Sequence, residues 1–425
     1  MEKIILKNGD IFYQGKIQHL DVVMEADKIV KIEANTQEKG TIIDVSNQLV
    51  TLGFIDMHVH LREPGFEYKE TIKSGTRSAM YGGYTHLVAM ANTIPCMDNK
   101  EVIEDFYQRV KKDSFIHTYT YSAITKGLAG KELVDFQTNS TMNILGFSDD
   151  GKGVQSTEIM AEAMKQAKSV NSIIVAHCED EEELVPGACI HDGAYAKEHQ
   201  LKGINNASEY NHAIRDLEMV KKYQNRYHIC HISTKETVAA LRLAKKELKQ
   251  VSGEVCPHHI ILTDENIKDC HPNYKMNPPL RSKADLLAII EGLNDGTIKV
   301  IATDHAPHSR EEKMKPIDLA PFGIIGNQHA FSLMNTYIIK KGLVDLETVL
   351  LCMADNPANI LGLNHHFEVG AKANLCVLDL QKEYVISEEN IQSASCNTPF
   401  LGVKCQGYVS YHILDGKVTK LEEVE

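Results

Sequence analysis

The chain predicts an α/β protein: a (β/α)8 TIM-type barrel with a small β-sandwich built from the N- and C-terminal segments. Three observations carry that expectation. From Leu49 onward, short apolar, β-branched runs alternate with amphipathic stretches, eight times over. Both ends of the chain read instead as short strands separated by turn residues. A histidine or carboxylate also closes one apolar run after another, and the carboxyl ends of its strands are where a parallel barrel keeps its chemistry.

Taken in order, residues 1 to about 50 give strands at 3–6, 15–23, 28–32 and 41–44, with turns at Asn8-Gly9 and over 33–40. So small a β unit needs partners to be stable. The run 48–57 has the composition of a buried parallel strand; it stops at His58 and His60, and Pro64-Gly65 breaks into a loop. Further strands end near Asn92, Ser122, Asp149, His177, His231, Pro257 and Asp304. Helical stretches fall at 68–80, 99–111, 156–169, 209–224, 234–248, 282–293 and 328–340. An open doubly wound sheet is the structural alternative, but no Gly-x-Gly-x-x-Gly follows the first strand. After Leu361-Gly362, short strands return at 373–379, 407–414 and 417–421, with an Asp415-Gly416 hairpin signal. The expected units are therefore 1–50 with 367–425 as a composite β-sandwich, and 51–366 as the barrel.

Composition narrows the function. With 43% hydrophobic and 24% charged residues the chain can bury a large core. A net charge of −13, spread along the sequence, argues against a nucleic-acid partner and leaves room for a small anionic substrate in a locally positive site. The N-terminus has no apolar signal region and no stretch approaches a membrane span. Ten cysteines without a Cys-x-x-Cys pair, several of them inside apolar runs (Cys230, Cys256, Cys352, Cys376), read as reduced thiols of a cytoplasmic protein.

The chemistry starts from His58 and His60. Two residues apart on a strand, they point to one side and can reach one metal ion. Alone that pair is a weak signal. His177 and His231 end the fifth and sixth strands, Asp149-Asp150 the fourth and Asp304 the eighth. Four imidazoles and two carboxylates, without a thiolate, suit borderline divalent metals, zinc first. They are too many for one catalytic zinc and suit two metals about 3.5–4 Å apart, bridged by a carboxylate.

These residues sit in longer motifs: His58-Val59-His60-Leu61-Arg62-Glu63-Pro64-Gly65, Met90-Ala91-Asn92-Thr93, Asp149-Asp150-Gly151, His177-Cys178-Glu179-Asp180, His231-Ile232-Ser233-Thr234, Lys275-Met276-Asn277-Pro278-Pro279-Leu280-Arg281 and Thr303-Asp304-His305-Ala306-Pro307-His308. Over nearly the whole chain they resemble the amidohydrolase superfamily and, within it, the dihydroorotases of the bacterial type I branch. The resemblance implies a zinc enzyme with two metals per subunit. His58, His60 and Asp304 would hold the first, and His177 and His231 the second. No lysine ends a central strand where many relatives carry a carbamylated one. Sequence alone does not decide which of Asp149 and Asp150 turns inward; the resemblance selects Asp150 as the bridge.

The same resemblance implies dihydroorotate and N-carbamoyl-aspartate as substrates. Arg62 would hold the substrate carboxylate through its charged fork. Asn92, Asn277 and His308 would complete the carboxylate and ring contacts, and Phe322-Gly323 would offer backbone groups to the ring. Asp304 would act as general base and then acid while metal-activated water opens the ring amide. Two features depart from relatives: Gly326-Asn327-Gln328-His329 replaces a glutamate-containing turn, and the aspartate bridge leaves occupancy of the second metal open. The long segment 178–209 has the length of a lid, and its acidic run reads as a solvated face. A homodimer is the expected assembly, with aspartate transcarbamoylase as a conceivable partner. The competing readings are another cyclic-amide hydrolase, allantoinase or dihydropyrimidinase, and a non-catalytic subunit that scaffolds a transcarbamoylase. The second should have lost metal ligands that this chain keeps.

Overall fold

In the computed structural model, which describes residues 2–421, the apolar run over 48–57 is two strands rather than one. Leu49–Leu52 belongs to a sheet of the small β unit, and Phe54–Val59 opens the barrel. Gly53 lies between them. A Cβ there would sit 2.2 Å from Thr85 Cγ2, so only glycine lets the backbone cross so close to the second barrel strand. Met1 and residues 422–425, the outermost parts of the expected β unit, lie outside the described residues.

Eight parallel segments close the barrel. Phe54–Val59, Tyr84–Ala89 and His117–Thr120 pair in sequence. Ile173–Ala176, Arg226–Ile229, Val251–Val255 and Val300–Ile301 do the same. The fourth segment is reduced to Phe147, which bridges Ser122 on one side and Ile174 on the other. Val59 pairs with His305, just past the eighth strand, and completes the circle. That closure rules out the open sheet. Ile55, Met57, Val88, Val175, Val300 and Ala302 pack together inside. Phe54, Leu87, Ile174, Ile229 and Ile301 join the core that includes the helices.

Strand one departs from this alternation. Strict alternation would put His58 on the opposite face from Met57. The register against strand two shifts between Asp56 and Val59, and this irregularity brings His58 to the inside as well.

Helices Ile72–Tyr81, Lys100–Asp113, Thr157–Ser169, Ala207–Tyr223, Lys235–Glu247 and Lys283–Asn294 follow strands of the barrel. All but Ala207–Tyr223 start at a side-chain cap: Thr71, Asn99, Ser156, Thr234 and Ser282 each accept the backbone N–H three residues on. Each such cap stabilises by about 1 kcal/mol. The first helix starts four residues later than its sequence pattern suggests, because Glu70 is drawn inward. Its carboxylate accepts from His305 Nε2 (3.2 Å) and from the Ala394 N–H (3.0 Å). The helix expected over 328–340 begins at Ala330 rather than 328, since Gln328 and His329 make tertiary hydrogen bonds to Asn390 and Tyr384. It then widens to a π-helical turn over Asn335–Ile339, where the Asn335 amide donates to the Gln406 and Leu380 carbonyls.

Two sheets form the small β unit. One has the order Lys28–Glu33, Asp21–Glu25, Lys3–Lys7, Thr41–Asp44. The other runs Lys417–Lys420, Lys404–Leu414, Leu375–Val385, Leu49–Leu52, Asp10–Tyr13, Lys16–His19, so both ends of the chain contribute to it. The stretch expected as one strand over 15–23 is split at Leu20 between the two sheets, and Asp10–Tyr13 is a strand the sequence pattern does not announce. The Asp415-Gly416 hairpin forms as read: both residues have positive φ, and Leu414 pairs with Lys417.

Candidate active site

The barrel brings the six expected ligands together at the carboxyl ends of its strands, all of them buried. Asp150 lies among the four imidazoles. Its Oδ1 is 3.3 Å from His58 Nε2 and 3.6 Å from both His177 Nδ1 and His231 Nε2; its Oδ2 is 3.5 Å from His60 Nε2. Asp304 Oδ1 is 2.9 Å from His60 Nε2 and 3.4 Å from His58 Nε2. Asp149 points elsewhere. Its carboxylate accepts the Ile124 and Thr125 N–H groups at 2.7 and 3.0 Å, which fastens the loop after strand three.

Several observations show that these side chains fit a cation. His58 Nε2, His177 Nε2 and Asp150 Oδ1 are buried without a hydrogen-bond partner, a costly condition that a bound metal relieves at donors facing it. His58, His60 and Asp304 form one ligating group and His58, Asp150 and His231 another. Charge tells the same story. Burial pushes the Asp150 and Asp304 carboxyls upward, yet the imidazoles around them, His58 foremost, hold both below the ordinary carboxylate range. Burial likewise lowers His177, but the Asp150 and Glu179 carboxylates beside it carry it up to about 10. In such a pocket protons stand where a metal would supply the positive charge. His231, Asp304 and Arg62 all have positive φ, at 31°, 47° and 62°, a strained backbone for side chains of this size.

Around this centre stand residues that orient it, and sequence reasoning assigned none of them a role. His58 Nδ1 donates to Glu254 Oε1 (2.7 Å), which leaves Nε2 for the centre. Glu254 also bonds His228 Nε2 (3.1 Å) and receives the His231 N–H (3.3 Å). Burial raises its carboxyl and these imidazoles more than reverse the effect, to about 2. Asp56 accepts the Thr303 N–H and hydroxyl at 3.0 and 2.6 Å and locks strand one to strand eight. The available signal for both was a lone carboxylate inside an apolar strand. Glu179, counted with the acidic run, leaves it: Oε2 is 3.6 Å from His177 Nε2 and Oε1 accepts from the Asn277 amide at 2.9 Å. The neighbouring Glu181 and Glu182 are exposed, as a solvated face should be.

The expected substrate contacts gather at the same mouth. Asn92 Oδ1 accepts from His60 Nδ1 (3.0 Å), and its amide reaches the Asp150 carbonyl at 3.4 Å. Arg62 is half-buried; its Nε donates to the Pro307 carbonyl (3.1 Å) and its Nη2 lies 3.3 Å from His308 Nε2. Burial lowers its pKa to about 10, with Asp304 and Asp150 opposing, so it remains a cation near neutrality. His308 is held neutral, pushed down to about 2 by burial and by Arg62, Lys69 and Lys313. Lys69 donates to its Nδ1 (3.2 Å), so Nε2–H donates to the Phe322 carbonyl at 2.7 Å. Gly323 corrects its expected role. Its N–H goes to the Lys275 carbonyl, and its own carbonyl accepts Lys313 and Asn397, each at 3.0 Å. Both backbone groups are therefore used inside the protein. What Gly323 supplies is space: φ is +124°, and a Cβ would lie 2.6 Å from Ala306 Cβ and 3.2 Å from His308 Nε2.

Comparison with known proteins agrees with this geometry. The family model described as Dihydro-orotase-like matches residues 47–237. The dihydroorotases of Bacillus thuringiensis (strain Al Hakam) and Bacillus anthracis are each 42% identical over 422 residues, covering 99% of this chain and 98% of theirs. That of Bacillus cereus (strain AH187) is 43% identical over 412 residues, 96% of either chain. Among solved structures, L-hydantoinase from Arthrobacter aurescens matches with a TM-score of 0.88 at 22% identity, covering 100% of this chain and 98% of its own. Dihydropyrimidinase from Brevibacillus agri NCHU1002 matches at 0.85 and 18%, covering 98% and 94%. At such identities the likeness is one of fold. Barrel, β unit and relatives together define a metal-dependent cyclic amidohydrolase. Within that class, the chain belongs to the dihydroorotase family.

Proposed function

We propose that this chain catalyses the reversible cyclisation of N-carbamoyl-L-aspartate to (S)-dihydroorotate, the dihydroorotase step of pyrimidine biosynthesis. The observation that carries the reading is the convergence of His58, His60, Asp150, His177, His231 and Asp304 on one buried point, with Arg62, Asn92 and His308 beside it. We assign zinc as the cofactor, two ions per chain. His58, His60 and Asp304 would hold one and His177 and His231 the other, with Asp150 shared; the nitrogen and oxygen donors and their unpartnered atoms support this. When bound, the metal supplies Lewis acidity to the ring carbonyl and makes water acidic enough to act near neutral pH.

The protein's own groups do the rest. In hydrolysis, Asp304 takes a proton from the attacking water and delivers it to the ring nitrogen as the amide C–N bond breaks. Closure runs the same transfers in reverse, so the carbamoyl nitrogen gives up its proton and water leaves. Arg62 holds the substrate carboxylate as a charged fork. Asn92 orients His60, and its second amide hydrogen is available to the substrate. Asn277 is turned by Glu179, and His308 is set by Lys69 as an Nε2–H donor. Phe322 places its carbonyl against that donor. A carboxylate site built on Arg62 favours this substrate over hydantoin or allantoin, which carry no carboxylate. A non-catalytic scaffold would not need the ligand set.

The same reading includes a division of labour, with chemistry in residues 51–366 and a supporting role for 1–50 with 367–425. It also includes a homodimer, with association with aspartate transcarbamoylase as a further state, and a cytoplasmic location. Among the described residues no helix is long and apolar enough to cross a membrane.

The test is dihydroorotate hydrolysis by the purified chain, followed by ultraviolet loss of the ring amide. It is run as isolated, after chelation and after zinc is restored, with metal content measured on the same samples. Turnover lost on chelation and regained with zinc supports the reading. Faster turnover of hydantoin or allantoin than of dihydroorotate overturns it.

A further inference from the structure

Five groups of histidines, cysteines and carboxylates in the described residues lie close enough together to hold a metal. Two belong to the centre described above. Two more are closed by their own hydrogen bonds. In His58, Cys230 and Glu254, the imidazole and carboxylate are bonded to each other at 2.7 Å. In Cys178, His212 and Asp216, His212 Nδ1 donates to the Glu179 carbonyl and Nε2 receives Arg215, while Asp216 accepts the Tyr227 hydroxyl at 2.6 Å. The fifth group, Cys256, His258 and His259, is different.

Cys256 ends strand seven and begins the short turn of helix Pro257–Ile261. One donor from each of the three residues lies within 4.8 Å of the others. All three are enclosed: Cys256 is 0% exposed, His258 2% and His259 3%. Yet His258 Nε2 and His259 Nδ1 have no hydrogen-bond partner. For His259 the tautomer follows from its other nitrogen, since Nε2 donates to the Pro278 carbonyl at 2.9 Å. Nδ1 is therefore a buried lone pair without a partner, and the same group holds a second unpartnered imidazole nitrogen and a free thiol. Buried polar atoms are rarely left so, and each unpaired one calls for an explanation.

We propose that Cys256, His258 and His259 form a further metal site, separate from the His and Asp centre, for a thiophilic cation such as Zn2+. A thiolate with two imidazoles is a soft to borderline donor set, unlike the oxygen and nitrogen set of the catalytic centre. Three protein ligands leave a fourth position open. On binding, the sulfur–metal bond forms as the Cys256 thiol releases its proton to solvent, so one positive charge leaves as two arrive. The cation would stiffen the turn after strand seven, whose His259 Nε2 already donates to the Pro278 carbonyl next to Asn277 of the catalytic mouth.

The discriminating experiment uses Co2+ as the probe on the full chain, stripped of metal and titrated without oxygen. Cobalt in a site of histidines and aspartates gives only weak visible bands, whereas a cobalt–thiolate bond adds a strong near-ultraviolet charge-transfer band. The unmodified chain is expected to develop that band. C256S and C256A should each lose it together with one equivalent of bound cobalt, while C230S keeps it. H259Q should weaken it. Dihydroorotate turnover by C256S, measured with zinc restored, checks that the variant is folded. Absence of the band in the unmodified chain, its persistence in C256S, or its loss in C230S alone overturns the proposal. A chain that turns over dihydroorotate without the thiolate band leaves the functional reading standing and removes only this site.

Discussion

At the carboxyl ends of the barrel strands imidazoles crowd carboxylates, polar atoms go unpartnered, and His231, Asp304 and Arg62 hold positive φ. At the amino ends the same residue type is used in the opposite way. His365 Nε2 donates to the Gly53 carbonyl at 2.8 Å, His412 Nε2 to the Tyr84 carbonyl at 2.9 Å, and His86 Nδ1 pairs with the Thr85 hydroxyl at 3.0 Å. None of these three has positive φ. Burial holds all three below the ordinary histidine range, His365 and His412 at about 4, so they stay neutral. His365 and His412 (the latter on strand Lys404–Leu414 of the β unit) donate to backbone at the start of barrel strands. One fold thus gathers histidines where a cation would fit and keeps others neutral. The difference teaches that histidine content alone says little; its hydrogen-bond partners decide whether it ligates or seals.

The sharpest way to break the comparison is at Asp304. If the crowding at the mouth serves chemistry, Asp304→Asn should lower dihydroorotate turnover by about 10²–10⁴-fold. Substrate binding and the circular dichroism spectrum should change far less. A kcat within tenfold of the parent would mean that the carboxylate is only structural. Arg62→Lys comes next. It keeps the charge and removes the fork, so KM should rise about 10–100-fold, the equivalent of about 1.5–3 kcal/mol, with a smaller change in kcat. An unchanged KM would place the substrate carboxylate elsewhere. Glu254→Gln tests the residues behind the ligands. It should weaken metal affinity about 10–100-fold, read by chelator competition, and zinc in excess should restore most of the turnover.

How far these roles were legible in the sequence depends on what kind of fact each one is. The strand-end histidines and Asp304 could be read because a parallel barrel places strand ends at one face. That rule needs no side-chain geometry. Asp149 and Asp150 could not be separated in the same way. What divides them is that the Ile124 and Thr125 N–H groups, a strand away, claim one carboxylate. Glu254 and Asp56 were readable in principle, as lone carboxylates in apolar strands, but only the packed structure shows a strand neighbour spending each of them. The split at Leu20 and the break at Gly53 are decided by which layer each segment joins, and strand propensity is silent on layers. Gly323 shows the reverse limit: its lack of a side chain was legible, whereas the partners of its backbone groups were not.

The amino end of the barrel gives the smallest and most specific effect, and it concerns stability rather than turnover. His365 and His412 have folded-state pKa values near 4, against an ordinary value of about 6.5 in the unfolded chain. Between those limits the unfolded chain binds the extra protons. Their contribution is therefore intact above about pH 6.5 and is lost progressively as the pH falls toward 4, by about 1.4 kcal/mol per unit for each histidine. His412→Gln replaces a titrating donor by one that does not titrate and can still reach the Tyr84 carbonyl. Urea unfolding of the zinc-loaded parent and variant at pH 7 and pH 5 should show a parent that loses more stability on acidification, by about 2 kcal/mol. At pH 7 the variant should keep its kcat on dihydroorotate, because the residue touches nothing at the mouth. Equal pH slopes for the two chains would mean that His412 is as easily protonated folded as unfolded. The two ends of the barrel would then not differ in the way their histidines are paired.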